Sequence, residues 1–429
     1  MRAVVISIDG LAGFYWNDPL ARMPNLRRLA ERGAVSSRMQ AVFPTTTWPT
    51  HVSLVTGVSP ARHGVAANHV LNRATGMAED LTGDPVYDST ELLRVPTIYD
   101  RAHAAGRVCA AIDWPATRKA GSLGFNLPFF KNQRVFETQT SPTVWRELGE
   151  LGYPLDRQGE WAELPKRFMK DAMVGELAAT VWHRHAPDLL LVHFLCADSF
   201  QHLYGPRSAE AYWAIAYVDE RIGRFLDALP LSSLDRDTAL FVVSDHGFLP
   251  SEREIRLNVW LREQGLLELD AGGAVRRAAA RFVMNHGAGY VYVLEAERER
   301  TAAQIASAIA KLDGVAGAWT AERYAQLGLP TADDNRLVGD VVVDALPGFC
   351  FGDTATGEDL QGPPKYRGTH GQRPEHPDNH AFFLATGPGV RRGMTLDALV
   401  SRDVAPTLAQ VLGISMPDVE GRSLVEIFA

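Results

Sequence analysis

Short apolar runs leading into an aspartate recur along this chain. "AVVISID" closes on Asp9, "LLLVHFL" leads into Asp198, and "ALFVVSD" closes on Asp245. Amphipathic stretches lie between such runs. In "MPNLRRLAERG" Leu26, Leu29 and Ala30 share one face, with Pro24 at the start and Gly33 at the stop. Residues 166–186 repeat Phe168, Met173, Leu177 and Val181 at helical spacing, and residues 208–229 do so with Ile215, Val218, Ile222 and Phe225. Buried strands alternating with helices predict an α/β fold about a mostly parallel central sheet. In such sheets ligand crevices open beyond the carboxyl ends of the strands, so the residues that close the runs are the ones to read for chemistry.

The middle of the chain breaks this rhythm. "GYVYVL", "TAAQIASAIAKL", "GVAGAW" and "GDVVVDAL" predict a smaller α+β insertion over 251–365, leaving 1–250 plus 366–429 as the core. "FGDTATGEDLQGPPKYRG" reads as a loop. With 429 residues, 46% hydrophobic and 22% charged, the composition is that of a globular protein. Lys+Arg 43 against Asp+Glu 51 leaves a net charge of −8 with no basic stripe, so neither a nucleic-acid polymer nor an anionic membrane is expected as partner. The opening "MRAVVISIDG" reads as a strand rather than a signal peptide, and no apolar run is long enough to span a bilayer. Three widely spaced cysteines, Cys109, Cys196 and Cys350, argue against a disulfide framework and for a reducing, cytoplasmic compartment. No interface stripe reveals an oligomeric state.

Asp198 and His202 stand at i, i+4, which on a helical turn places both on one face. Asp245 and His246 are adjacent; the chain must bend for both to reach one ion, and Gly247 permits a bend. His370 sits between glycines in "GTHG". Taken singly, each has a plain structural explanation: a capped turn, a surface pair, a loop histidine. Together they make three carboxylates and three histidines at loop edges, a ligand set that suits Zn²⁺ or Mn²⁺ better than Ca²⁺. Two such ions can clamp the attacking and leaving oxygens of a phosphoryl displacement. Thr45, Thr46 and Thr47 precede a helix start marked by Pro49, where free N–H groups favour a phosphate.

The order "SIDGL", "FPTTTWPTHVSLVTGVSPARHGVAAN", "DSFQHLYGP", "VVSDHG", "GTHG" resembles the alkaline phosphatase superfamily. Within it, the match is to the nucleotide pyrophosphatase/phosphodiesterase (type I phosphodiesterase) family. "AAIDWP", "DVAPTLAQVLGI" and "GRSL" resemble further segments of these proteins, and the likeness covers about 1–115, 187–250 and 366–429. The resemblance implies an alkaline-phosphatase-like sheet flanked by helices. It implies a metal-dependent phosphodiesterase/pyrophosphatase with two divalent ions, Zn²⁺ before Mn²⁺, acting on a small phosphoester. Asp9, Thr47, Asp245 and His246 would hold one ion; Asp198, His202 and His370 the other. Thr47 fills the nucleophile position and would be transiently phosphorylated. Asn68 falls where an asparagine donates to a phosphoryl oxygen. Trp48 falls where an aromatic stacks a nucleobase, and His193 stands where relatives carry the tyrosine of the opposite wall.

Other branches fit less well. Sulfatases need Cys or Ser where Thr47 stands and Arg where His51 stands. Alkaline phosphatases proper and cofactor-independent phosphoglycerate mutases use serine. A phosphonoacetate-hydrolase-like C–P hydrolase, with Lys119 near its carboxylate site, is the alternative, beside a phosphomonoesterase. A catalytically silent binding protein is disfavoured, because every ligand position carries a competent side chain. His63 is read as support for the loop after the nucleophile helix, His183 and His185 as a surface pair, and Asp378 or His380 as orienting ligands from behind. His286, in "NHGAG", is a candidate to face the cleft, and the "GPPKYRG" loop to reach a substrate's remote part.

Overall fold

The computed structural model describes residues 1–83, 87–229 and 231–429. Among these, nine strands form the central sheet, in the order Met394–Thr395, Gly33–Gln40, Ala381–Thr386, Thr238–Val243, Arg2–Ile8, Leu189–Phe194, Cys109–Ile112, Phe125–Leu127, with Leu399–Val400 also on Gly33–Gln40. Neighbours from Thr238–Val243 through Phe125–Leu127 are parallel. Ala381–Thr386 runs antiparallel to both of its neighbours. The mostly parallel sheet expected from the sequence is the one observed.

Its central strands are largely apolar because both faces are covered. Val4, Ile6 and Ile8 join Val174, Leu177, Val181, Val218 and Ile222 on one side. Ala3 and Val5 join Leu54, Val55, Leu408 and Leu412 on the other. Alternate residues of one strand thus feed two cores, as the two-residue side-chain period requires. Each large side chain so buried contributes on the order of 1.5–3 kcal/mol. The flanking helices are Arg167–His185 and Ala209–Ala228; the latter starts where Ser208 Oγ accepts the Ala211 N–H at 3.1 Å. The helix Thr47–Thr56 ends on Gly57, whose φ of 72° is the left-handed conformation that a glycine adopts without strain.

Within the expected insertion, Ala280–Asn285, Ala288–Val293, Val341–Ala345 and Val315–Thr320 form a separate antiparallel sheet. The helix Arg298–Ile309 covers one face with Ala302, Ile305 and Ile309. The other face, with Val283, Tyr290 and Tyr292, shares an apolar cluster with Phe43 and Trp48. The strand Leu249–Ile255 runs from the core into the insertion, and its Leu249 and Pro250 pair with Thr369 and Gly368, where the chain re-enters the core. "FGDTATGEDLQGPPKYRG" is irregular apart from short bridging strands such as Gln361–Gly362.

Asp344, on the insertion strand Val341–Ala345, is 3% exposed, and its carboxylate accepts the Arg373 N–H at 3.2 Å. Burial pushes this carboxyl up to about 8. Between roughly pH 4, the ordinary carboxylate value, and pH 8, the unfolded chain therefore holds fewer protons here than the native one, and stability falls as pH rises. Asp344→Asn keeps the acceptor and removes the ionisation. Melting temperatures at pH 5 and pH 8 should differ less for the variant than for wild type; parallel curves would remove Asp344 as a source of the slope.

Candidate active site

The three aspartates arrive on three separate elements. Asp9 follows the strand Arg2–Ile8, and the next N–H, of Gly10, donates to Asp245 Oδ1 at 3.0 Å. Asp245 and His246 lie just past Thr238–Val243, where the strand has ended and the chain turns. Gly247 makes the turn possible through packing: a Cβ there would meet the Asp378 carbonyl oxygen at 2.0 Å. Asp198 and His202 share one face of the helix Cys196–Tyr204. Its first N–H groups, of Leu195 and Cys196, donate to the buried Asp171 carboxylate at 2.9 and 2.8 Å.

The imidazoles are aimed by backbone carbonyls. His202 Nδ1 lies 2.9 Å from Gly368 O, His246 Nδ1 3.0 Å from Gly247 O, and His370 Nδ1 2.9 Å from Thr45 O. A carbonyl only accepts, so each Nδ1 carries the proton and each Nε2 presents its lone pair inward. Those lone pairs face carboxylate oxygens. His202 Nε2 is 3.2 Å and His370 Nε2 3.7 Å from Asp198 Oδ1; His246 Nε2 is 3.3 Å from both Asp9 Oδ1 and Asp245 Oδ2. Asp9 Oδ1, Asp198 Oδ1, Asp245 Oδ2 and His246 Nε2 are buried without a hydrogen-bond partner. Lone pairs that converge in this way call for a positive charge between them. Ligand atoms of Asp9, Asp245 and His246 lie within 4.8 Å of one another, as do those of Asp198, His246 and His370. The donor set fits divalent cations of the Zn²⁺ or Mn²⁺ type.

The acid–base balance reports the same surplus of negative charge. Burial, and then the Asp9 carboxylate, push Asp245 up to about 7. Burial alone would lower His246, but Asp245 and Asp9 outweigh it and raise the imidazole to about 9. Burial would likewise raise Asp9; the imidazoles of His193 and His246 beside it outweigh burial and hold that carboxyl well below its usual range.

Thr47 opens the helix Thr47–Thr56 and is 7% exposed. The Asn68 amide donates to Thr47 Oγ1 at 3.5 Å, while its Oδ1 accepts the Trp48 N–H at 2.8 Å. Thr45 is tied away from the cleft: its hydroxyl donates to Gln372 O and accepts from Gly371 N–H. Asp9, Thr47, Trp48, Asn68, His193, Asp198, His202 and His370 line one cavity of about 460 Å³. Asp245 and His246 are fully buried beside Asp9, with His246 Nε2 3.3 Å from Asp9 Oδ1. Trp48 is also part of the apolar cluster with Phe43 and Phe129. His193 turns its Nε2 to Asp9 Oδ2 at 3.2 Å and lays its ring against His51 at 4.3 Å, so its reach is toward the acidic cluster.

Several residues prominent in the sequence lie elsewhere. Lys119 pairs with Asp88 at 3.1 Å and lines no part of the cavity. His63 hydrogen-bonds Ser53, on the helix Thr47–Thr56, and the Val65 N–H. His185 pairs with Glu147. Asp378 braces the Asp245–Gly247 turn through its carbonyl, which accepts the Phe248 N–H, while its carboxylate pairs with Arg207. Sequence reading passed over His51, whose Nδ1 donates to Thr47 O at 2.8 Å and lies 3.6 Å from Asp245 Oδ2. Its i+4 spacing from Thr47 was the available signal. It also passed over Arg167, 3.6 Å from Asp198, and Asp113, a cavity residue that closes an apolar run as Asp9 does.

The family model for type I phosphodiesterase / nucleotide pyrophosphatase matches residues 3–373. The chain belongs to this family. Among family members it is 28% identical over 265 residues to a Schizosaccharomyces pombe protein described as an uncharacterised pyrophosphatase/phosphodiesterase, covering 60% of this chain and 46% of that one. It is 25% identical over 275 residues to human ectonucleotide pyrophosphatase/phosphodiesterase family member 1, covering 64% and 26%. The chain thus spans less than half the length of these curated relatives. Murine ectonucleotide pyrophosphatase/phosphodiesterase 5 superposes over 100% of both chains with a TM-score of 0.72 at 20% identity, which establishes the shared fold. An inactive threonine-to-alanine variant of that murine protein has been solved in complex with AMP.

Gly247→Ala tests the turn. Forcing a methyl group into a packed site typically costs about 1–3 kcal/mol, so the variant should melt lower and, with Asp245 and His246 displaced, bind divalent cations more weakly. Unchanged melting and binding would show that the turn relaxes freely.

Proposed function

We propose that this protein hydrolyses phosphodiester or phosphoanhydride bonds of small molecules through a phosphothreonine at Thr47. The observation that carries this is the Thr47 hydroxyl at a helix N-terminus, beside the Asn68 amide, in the same cavity as Asp9, Asp198 and the inward-facing imidazoles. Asp9, Thr47, Asp245 and His246 would hold one divalent cation, and Asp198, His202 and His370 a second, with Zn²⁺ preferred over Mn²⁺. Bound there, the cations would acidify the nucleophile's hydroxyl and stabilise the attacking and leaving oxygens.

Thr47 Oγ1 attacks phosphorus as the bond to the leaving oxygen breaks. Water then breaks the Oγ1–P bond and restores the hydroxyl. Asn68 Nδ2–H donates to a phosphoryl oxygen, and the free N–H groups at the start of the Thr47–Thr56 helix add to the same anion pocket. His51, bonded to the Thr47 carbonyl and to Ser7 Oγ, holds the first turn of that helix in place.

Nucleotides are the substrate class placed first. Trp48 and Phe129 offer apolar surface and Arg167, Lys131 and Lys365 positive charge around one cavity, and the murine relative binds AMP. The C–P hydrolase alternative loses support because Lys119 is engaged with Asp88. We assign 1–250 plus 366–429 to catalysis and 251–365 to the leaving-group side. Buried, unpaired Cys109, Cys196 and Cys350 support a reducing, cytoplasmic compartment; no helix among the described residues is long and apolar enough to cross a membrane.

Thr47→Ala and Asp198→Ala should each lower turnover by on the order of 10³-fold or more with the fold intact; an active Thr47→Ala protein removes the nucleophile assignment. Chelation should abolish activity and Zn²⁺ or Mn²⁺ restore it, and activity that survives exhaustive chelation would sink the two-cation reading. A panel of bis-(p-nitrophenyl) phosphate, p-nitrophenyl phosphate, a nucleoside triphosphate and phosphonoacetate should show the diester or the triphosphate fastest. A monoester or phosphonate turned over faster points to the other branches.

A further inference from the structure

His286 stands apart from the metal ligands that the family resemblance supplies, yet it is at the same place. It comes from the tight turn between the insertion strands Ala280–Asn285 and Ala288–Val293. Its ring stacks on His202 at 4.7 Å and lies 4.4 Å from His370. Ligand atoms of His202, His286 and His370 all lie within 4.8 Å of one another. Neither ring nitrogen of His286 has a hydrogen-bond partner among the described residues, whereas His202 and His370 each spend Nδ1 on a carbonyl.

The backbone at this point is strained and firmly held. His286 has φ 62°, in the left-handed region that a residue with a Cβ enters at a cost. The surroundings enforce it from every side. Asn285 Oδ1 accepts the Asn68 and His69 N–H groups at 2.8 and 2.9 Å, and its Nδ2 donates to His69 O at 3.0 Å. Gly287 N–H donates to His370 O, and the His286 carbonyl accepts the Phe351 N–H. A hairpin that needed only to turn would place glycine or asparagine here. The bonds fix instead an imidazole against two ligand imidazoles.

We propose that His286 is a further protein ligand of the cation assigned to Asp198, His202 and His370, delivered by the insertion. The proposal rests on the dinuclear reading above and adds to it. With Asp198 and three imidazoles, that cation would have four protein ligands, and a substrate oxygen would make it five-coordinate, which Zn²⁺ accepts. Occupancy of the site and the position of the insertion are then linked, because one side chain serves both.

His286→Gly is the decisive variant, since glycine adopts the same backbone without strain. Full-length wild type and variant, stripped of metal, are titrated with Zn²⁺ alone by calorimetry, and their metal-free melting temperatures compared. Expected are two sites in wild type, with the variant keeping one affinity and losing about tenfold or more at the other. The metal-free variant should melt no lower than wild type. Co²⁺ spectra should show a change at one site only. Two Zn²⁺ affinities within threefold of wild type overturn the proposal and leave the dinuclear reading standing; a wild type that binds no Zn²⁺ removes that reading itself. His286→Asn, which also tolerates this backbone, repeats the test if the glycine variant does not fold.

Discussion

Asp9, Asp198 and Asp245 are each 5% exposed or less and crowd one end of one sheet. Buried like charges repel strongly, and burial removes the water that would screen them. Much of the surrounding structure answers that one difficulty. Positive or protonatable groups approach each carboxylate: His193 and His246 at Asp9, Arg167, His202 and His370 at Asp198, and His51 and His246 at Asp245. A site that holds its carboxylates at such cost is one built for cations.

The second requirement is direction, and the backbone meets it. Carbonyls of Thr45, Gly247 and Gly368 each take one Nδ1–H, so the imidazoles cannot rotate their lone pairs away. Those carbonyls are themselves fixed by close packing. Beyond Gly247, the other glycines of the site are equally cramped: a Cβ on Gly371 would meet Asn285 O at 2.4 Å, and one on Gly368 would meet Gln201 O at 2.4 Å. Preorganised donors and ligands of this kind do not reorganise when charge develops, which is what makes them useful in catalysis.

The parallel sheet, the long helices and the gathering of Asp9, Thr47, Asp198, His202, Asp245, His246 and His370 at one end of the sheet were legible because they leave local marks. Asp9 and Asp245 end apolar runs, Asp198 and His202 keep helical spacing, and the ordered motifs carry the rest. His193 was harder to read. Its place in the register is plain, but its direction toward Asp9 depends on Asp113 O, 3.2 Å from Nδ1, a contact 80 residues away in the chain. Asp171 was invisible for the same reason: a buried acid inside a helix pattern acquires its role only when the N-terminus of Cys196–Tyr204 is laid on it. The insertion's strands could be read from their β-branched runs, but not the shared apolar cluster that seats them on Trp48.

The Arg2–Ile8 strand lies in the interior of the sheet, between Leu189–Phe194 and Thr238–Val243, and Thr45 meets His370 across 325 positions of sequence. Contacts this distant require large loops to close, which slows folding. During synthesis on the ribosome, Asp9 and Thr47 emerge more than 300 residues before His370, the histidine that turns toward Thr45. A nascent chain therefore presents Asp9 and Thr47 long before the imidazole that completes their surroundings, and the pocket closes only after residue 370 has been made.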